Sequence, residues 1–394
     1  MVQLVFVHGV RVRKGEAYDR EVKAREGFFK SHSFKGANPR IENPYWGEFG
    51  APADYTTIPG RDGVPLSAGG EAELSEQLAE PDRAEVDLSG SDTLLRLARA
   101  DFAAFVDTLA TKLAGGTAEG EGAEIAARLA DYTVSLLTPA GQVDPAMTGF
   151  LDDVADDRAL LQELSRQAGL GADTVALGDN ILMRAGRWIV GRVKDMVGDA
   201  ITPVARPLAR WLTPTVAVFL GDAFLYFRDG AHGAREKIKQ RVLADIVTAA
   251  KRARDGDEPL VLIGHSMGVN ILYDLLIRDD ADAAVREATG QPLDVALLLG
   301  VGTQVGLLGE VGLYEGPQAE PPYRLAKPQG VRHWMHVYNR TDILSFGLKS
   351  VAPEAEEFSV DTGANIIDAH GAYFLSPYFH ARLNRRLRDL GIVP

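Results

Sequence analysis

The stretch LVLIGHSMGVNILYDLL, residues 260–276, decides the fold. Leu260, Val261, Leu262 and Ile263 form a short apolar run, bounded upstream by the polar segment RDGDEP, and this predicts a buried strand. Val269, Ile271, Leu272, Leu275 and Leu276 then recur at helical spacing, so a helix starts directly after Gly-His-Ser-Met-Gly. Two readings fit: a plain strand-to-helix turn, or a turn that holds Ser266 out as a nucleophile. In a chain with 41 glycines the G-x-S-x-G pattern arises too easily by chance to decide alone. The strand–turn–helix setting favours the nucleophile, because that is where the pattern has a mechanism. Glycines at 264 and 268 would remove side chains where strand and helix approach closely, and the helix N-terminus favours negative charge.

Working outward, the apolar runs Leu4–Val7, LDVALLLGVG (293–302) and RHWMHVYN (332–339) predict further strands. The segment REKIKQRVLADIVTAAKRA (235–253) predicts a helix, and this alternation implies a mostly parallel sheet flanked by helices, an α/β fold. Residues 1–66 and 230–394 carry that pattern, whereas 67–229 are Ala-rich and helical in pattern. Within the latter, GGTAEGEGAE (115–124) reads as an exposed loop, and DLSGSD (87–92) as a turn and helix cap.

Composition narrows the function. A net charge of -13 argues against nucleic acid as a partner, and the lack of cysteine excludes disulfides and a thiol nucleophile. No His-Glu-x-x-His spacing is present, and GLLGEVG (306–312) lacks the Lys-Ser/Thr of a phosphate loop, so neither metal nor cofactor is expected. The N-terminus has no leader-like segment, and the apolar run 211–227 contains Pro214 and Asp222 and is short for a span. A soluble, cytoplasmic protein is the expectation.

A serine nucleophile needs a base oriented by a third group, and donors for the oxyanion. FVHGV (6–10), GHSMG (264–268), NRTDILS (339–345) and DAHGAYF (368–374) together resemble the α/β-hydrolase fold of serine esterases and lipases. The likeness covers residues 1–50 and 230–394, and the chain order Ser266, Asp342, His370 matches the order for that fold. It implies that Ser266 attacks, His370 is the general base and Asp342 orients it, with the backbone N–H groups of Val10 and Met267 forming the oxyanion hole. Asp342 follows a strand candidate, at the sheet edge where α/β sites are built. Asp361 and Asp368 compete with it as loop carboxylates. Trp46 is read either as an acyl-pocket wall or as simple core packing. Of the other histidines, His8 is assigned to the turn after the first strand and His265 to packing beneath Ser266. His333 and His336 are read as structural, and His32, His232 and His380 as surface residues.

The helical stretch 67–229 exceeds any ordinary connection and reads as a cap or lid insertion. Its residues 181–211 combine apolar positions at helical spacing with six Arg/Lys against two Asp. Such a helix can lie on a membrane surface, cover an acyl pocket, or pack on the core with a solvated charged face. The expected function is hydrolysis of carboxylic esters with lipid-like or other hydrophobic acyl groups. Thioesterase, peptidase or acyltransferase chemistry would use the same machinery, and a non-catalytic interaction module is the alternative from a different class.

Overall fold

The computed structural model describes residues 1–10, 12, 14–50, 87–139, 141–170, 181–191, 193, 222–223, 225–227, 233–314, 324–342, 344–360 and 369–394. Six strands form one sheet: β1 (Val2–Val7), β2 (Pro39–Glu42), β3 (Leu260–His265), β4 (Val295–Val301), β5 (Val331–Tyr338) and β6 (Glu356–Ser359). They run in the order β2-β1-β3-β4-β5-β6, and every pairing is parallel. The strand order reverses beside β1, since the chain goes first to β2 on one side and then to β3 on the other. In open α/β sheets that reversal leaves a crevice at the carboxyl ends of the strands.

The burial pattern follows from this position. β1 and β4 are buried at every residue, as expected for strands covered on both faces. Val5, Val7 and Leu262 face helices α7 (Ala234–Gly256) and α8 (Met267–Ile277), through Ile238, Val242, Ile246, Ile271 and Leu275. Leu4, Phe6, Val261 and Ile263 point the other way. They pack against Phe29 and Phe34, which follow α1 (Glu16–Phe28), and against Phe379 and Leu383 of α11 (Pro377–Asp389). The edge strands β2 and β6 read PRIE and EEFS, mostly half-buried, and no apolar run announces them.

Helices α9 (Asp280–Thr289) and α10 (Val305–Glu310) follow α8, and a helical layer precedes α7. It contains α2 (Thr93–Ala100), α3 (Phe102–Ala114), α4 (Glu121–Ser135), α5 (Asp157–Gln167) and α6, residues 181–191. These helices bury Leu94, Phe105, Leu109, Leu129, Leu161 and Ile189 together, and close on Phe28, Ala372 and Leu375. The expected turn at residues 87–92 is present, but the α2 N-terminus is capped from outside. Buried Asp157 accepts from the Leu95 N–H at 3.0 Å and from the Ser91 hydroxyl at 2.6 Å. The 115–124 loop stops at Gly120, because α4 begins at Glu121. In α6 only Arg184 is exposed, and Ile189 and Val190 are buried within the helical layer, as in the reading of a helix packed on its neighbours. Most of the basic stretch beyond it, residues 194–211, lies outside the described residues. Among the described residues, no helix is long and apolar enough to cross a membrane.

Candidate active site

Ser266 lies between β3 and α8, at φ 52° and ψ -123°. A serine at positive φ carries strain of about 1–3 kcal/mol and persists only where its neighbours over-determine it. Here the neighbours are backbone. A Cβ on Gly264 would lie 2.7 Å from both N and Cα of Val269, and one on Gly268 would lie 2.0 Å from the Val7 carbonyl oxygen. Only glycine at both positions lets α8 start this close to β1 and β3. The Ser266 N–H donates to the Val301 carbonyl at 2.9 Å, which ties the turn to β4.

Asp342 follows β5 and is buried. Its Oδ2 accepts from His370 Nδ1 at 2.8 Å and from the Tyr373 hydroxyl at 2.8 Å, while its Oδ1 accepts from the Leu344 N–H at 2.9 Å. Burial alone would raise the Asp342 carboxyl. Attraction to His370 and the hydrogen bonds from His370, Tyr373 and Leu344 outweigh it and hold the group below the usual carboxylate range. With Nδ1–H given to a carboxylate, Nε2 is the ring nitrogen of His370 left to act as a base. That Nε2 and the Ser266 Oγ are both buried, and neither has a hydrogen-bond partner among the described residues. Contacts between a nucleophile and its base are often open before substrate binds.

Several side chains that hold this arrangement gave little or no sign in the sequence. Tyr373 both donates to Asp342 and accepts from the Asn339 N–H at 2.9 Å, so it fixes the carboxylate to the end of β5. His265 donates through Nε2 to the His370 carbonyl at 2.7 Å, with the two rings 4.9 Å apart. Burial, together with the neighbouring His370, pushes His265 down to about 3, so the ring is neutral near pH 7. Buried Asn270 donates to the Ser266 carbonyl at 3.2 Å and to Gln304 Oε1 at 3.1 Å. Gln304 in turn donates to the Leu344 carbonyl, so a chain of buried amides links the serine turn to the Asp342 loop. Gly302, at φ 59°, closes the floor. A Cβ there would lie 3.0 Å from the Tyr373 ring and 3.4 Å from Asp342 Oδ2.

The loop after β1 reaches the same place. A Cβ on Gly9 would lie 2.9 Å from Ser266 Cβ, and Val10 follows, half-buried. Met267 is buried at the first position of α8, and neither its N–H nor that of Val10 is spent on a turn or loop hydrogen bond among the described residues. Trp46 is only 1% exposed. Its ring stacks on His8 at 4.9 Å, and its Nε1 donates to the His8 carbonyl at 2.9 Å, so its visible task is bracing the turn that carries Gly9 and Val10.

The histidine assignments need one clear correction. His380 is not a surface residue but fully buried in α11, stacked on Phe28 with centroids 5.0 Å apart. Its Nε2–H donates to the Phe374 carbonyl at 2.9 Å, which leaves Nδ1 to accept from the Ser33 hydroxyl at 2.7 Å. His32 is half-buried beside it. His336 is buried in β5 between the carbonyls of Gly300 and Phe346, and His333 is half-buried on the same strand. His232, Asp361 and Asp368 lie outside the described residues. Compared with family models, with curated proteins and with solved structures, the chain finds no significant match.

Proposed function

We propose that this chain is a serine hydrolase of the α/β-hydrolase kind, cleaving carboxylic esters through an acyl-enzyme. One observation carries the reading. A serine held at positive φ after β3 has a buried Oγ, an imidazole braced by a buried carboxylate has an equally buried Nε2, and neither atom has a partner among the described residues. Backbone strain and unpaired buried nitrogens both cost stability, and where they persist together they mark functional sites.

In this mechanism Ser266 Oγ attacks the ester carbonyl carbon as His370 Nε2 takes its proton. The oxygen that gains charge faces the N–H groups of Met267 and Val10, at the positive end of α8. Collapse of the tetrahedral intermediate expels the alcohol, which receives the proton from His370 Nε2. Water then repeats the sequence and releases the acid. Asp342 holds the ring in the Nδ1–H tautomer and stabilises the imidazolium. The acyl group is proposed to be hydrophobic, because the helical layer packs on Ala372 and Leu375, just past His370.

The test is turnover of p-nitrophenyl acetate and octanoate. Ser266→Ala should fold normally and lose about a thousandfold or more, and Asp342→Asn should lose several orders of magnitude. Octanoate should be the better substrate, since each buried CH₂ contributes about 0.8 kcal/mol. Hydrolysis that survives intact in Ser266→Ala would remove the proposal, and equal rates on both esters would remove the hydrophobic acyl group.

A further inference from the structure

A cavity of about 480 Å³ opens where the helical layer meets the carboxyl ends of β5 and β6. Three arginines from three separate elements line it: Arg99 from α2, Arg340 from the loop after β5, and Arg382 from α11. In a chain of net charge -13, three guanidinium groups around one cavity are a local reversal of sign. None of the three forms an ion pair with a carboxylate among the described residues. Arg99 Nη2 donates to the Leu151 carbonyl at 2.8 Å, and Arg382 Nη1 donates to the Ser359 carbonyl at 3.1 Å. Arg382 also lies 4.3 Å over the Phe358 ring, so its direction is fixed. Arg340 is exposed and makes no hydrogen bond or ion pair among the described residues. Among the described residues, the one carboxylate lining the cavity, Asp101, already accepts from the Ala104 N–H at 3.0 Å as the N-cap of α3.

The rest of the wall is apolar or amphipathic. Phe102 and Val360 contribute buried hydrophobic surface, and Tyr378 is buried with its hydroxyl 3.5 Å from Arg382 Nη1. A volume of this size suits a small organic ligand, and an apolar wall with a few converging charges is the usual make-up of such sites. Guanidinium groups left without carboxylates supply paired N–H donors that match a carboxylate or phosphate.

We infer that this cavity binds a small organic anion, its carboxylate or phosphate held among Arg99, Arg340 and Arg382 and its apolar body against Phe102 and Tyr378. The site is separate from the serine chemistry and does not depend on it. Arg340 and Asp342 both lie in the loop that follows β5, two residues apart.

Calorimetric titration of the full chain at low ionic strength tests this, with phenyl phosphate, phenylacetate and the neutral benzyl alcohol as probes. Saturable binding of an anion is expected, weakened about tenfold in Arg340→Gln and reduced further by added salt. Tighter binding of phenyl phosphate identifies a phosphate site, and tighter binding of phenylacetate a carboxylate site. Absence of saturable anion binding overturns the inference. So does equal binding of benzyl alcohol, or unchanged affinity in both Arg340→Gln and Arg99→Gln.

Discussion

Ser266 keeps its strained backbone because glycines on either side admit α8 against β1, while Asp342 and His370 meet 2.8 Å apart at the same edge of the sheet. The hydrolase resemblance singled these three residues out by chain order, and the contact between Asp342 and His370 is the part of that reading the structure displays. His380 was not. A lone His among arginines in PYFHARLNRRLRD reads as solvated, and its burial arises from Phe28, Ser33 and Phe374, distant or unordered in one dimension. That burial has a consequence for acid stability. Burial pushes both His265 and His380 down to about 3, whereas an unfolded His titrates near about 6.5. Between those values the unfolded chain binds protons that the folded chain refuses, so stability is complete above the unfolded value and falls as the pH drops. Each such histidine contributes a slope of about 1.4 kcal/mol per pH unit. In His380→Gln, which keeps a donor for the Phe374 carbonyl, urea-unfolding stability should fall less steeply between about pH 6 and pH 4. An unchanged slope would show that His380 does not contribute to it.

At the scale of elements, the buried strands were readable and the edges were not. β3, β4 and β5 announce themselves as apolar runs, since both of their faces are covered. β2 and β6 are four-residue edges with charged side chains, and only pairing with β1 and β5 makes them strands. The side-chain cap of α2 was hidden for a similar reason: Asp92 of DLSGSD is the N-cap residue, but the carboxylate that takes the Leu95 N–H is Asp157, from α5. The strand–helix contact beneath Ser266 is the most sharply determined of these packings. Gly268→Ala would set a Cβ 2.0 Å from the Val7 carbonyl oxygen, against backbone that cannot rotate away. It should lower unfolding stability by about 3 kcal/mol or more, at the severe end for overpacking. Urea denaturation checks this, and a variant as stable as the parent would show that the contact is not so tight.

At the scale of the whole molecule, the parallel sheet sets three loops at one edge: the turn after β3 with Ser266, the loop after β5 with Asp342, and the segment after β6 with His370. The loop after β1 adds Gly9 and Val10. The helical layer then closes on Ala372 and Leu375 beside the base. Its existence was legible from length and Ala-rich periodicity, but its docking was not, because nothing local shows which face of α6 will be buried. The central claim is that this assembly activates one serine. Intact-protein mass spectrometry after exposure to a fluorophosphonate tests it without any assumption about the substrate. The account predicts a single adduct, mapped to Ser266 by peptide analysis and lost in Ser266→Ala. An unlabelled native protein, or labelling that persists in Ser266→Ala, would contradict it.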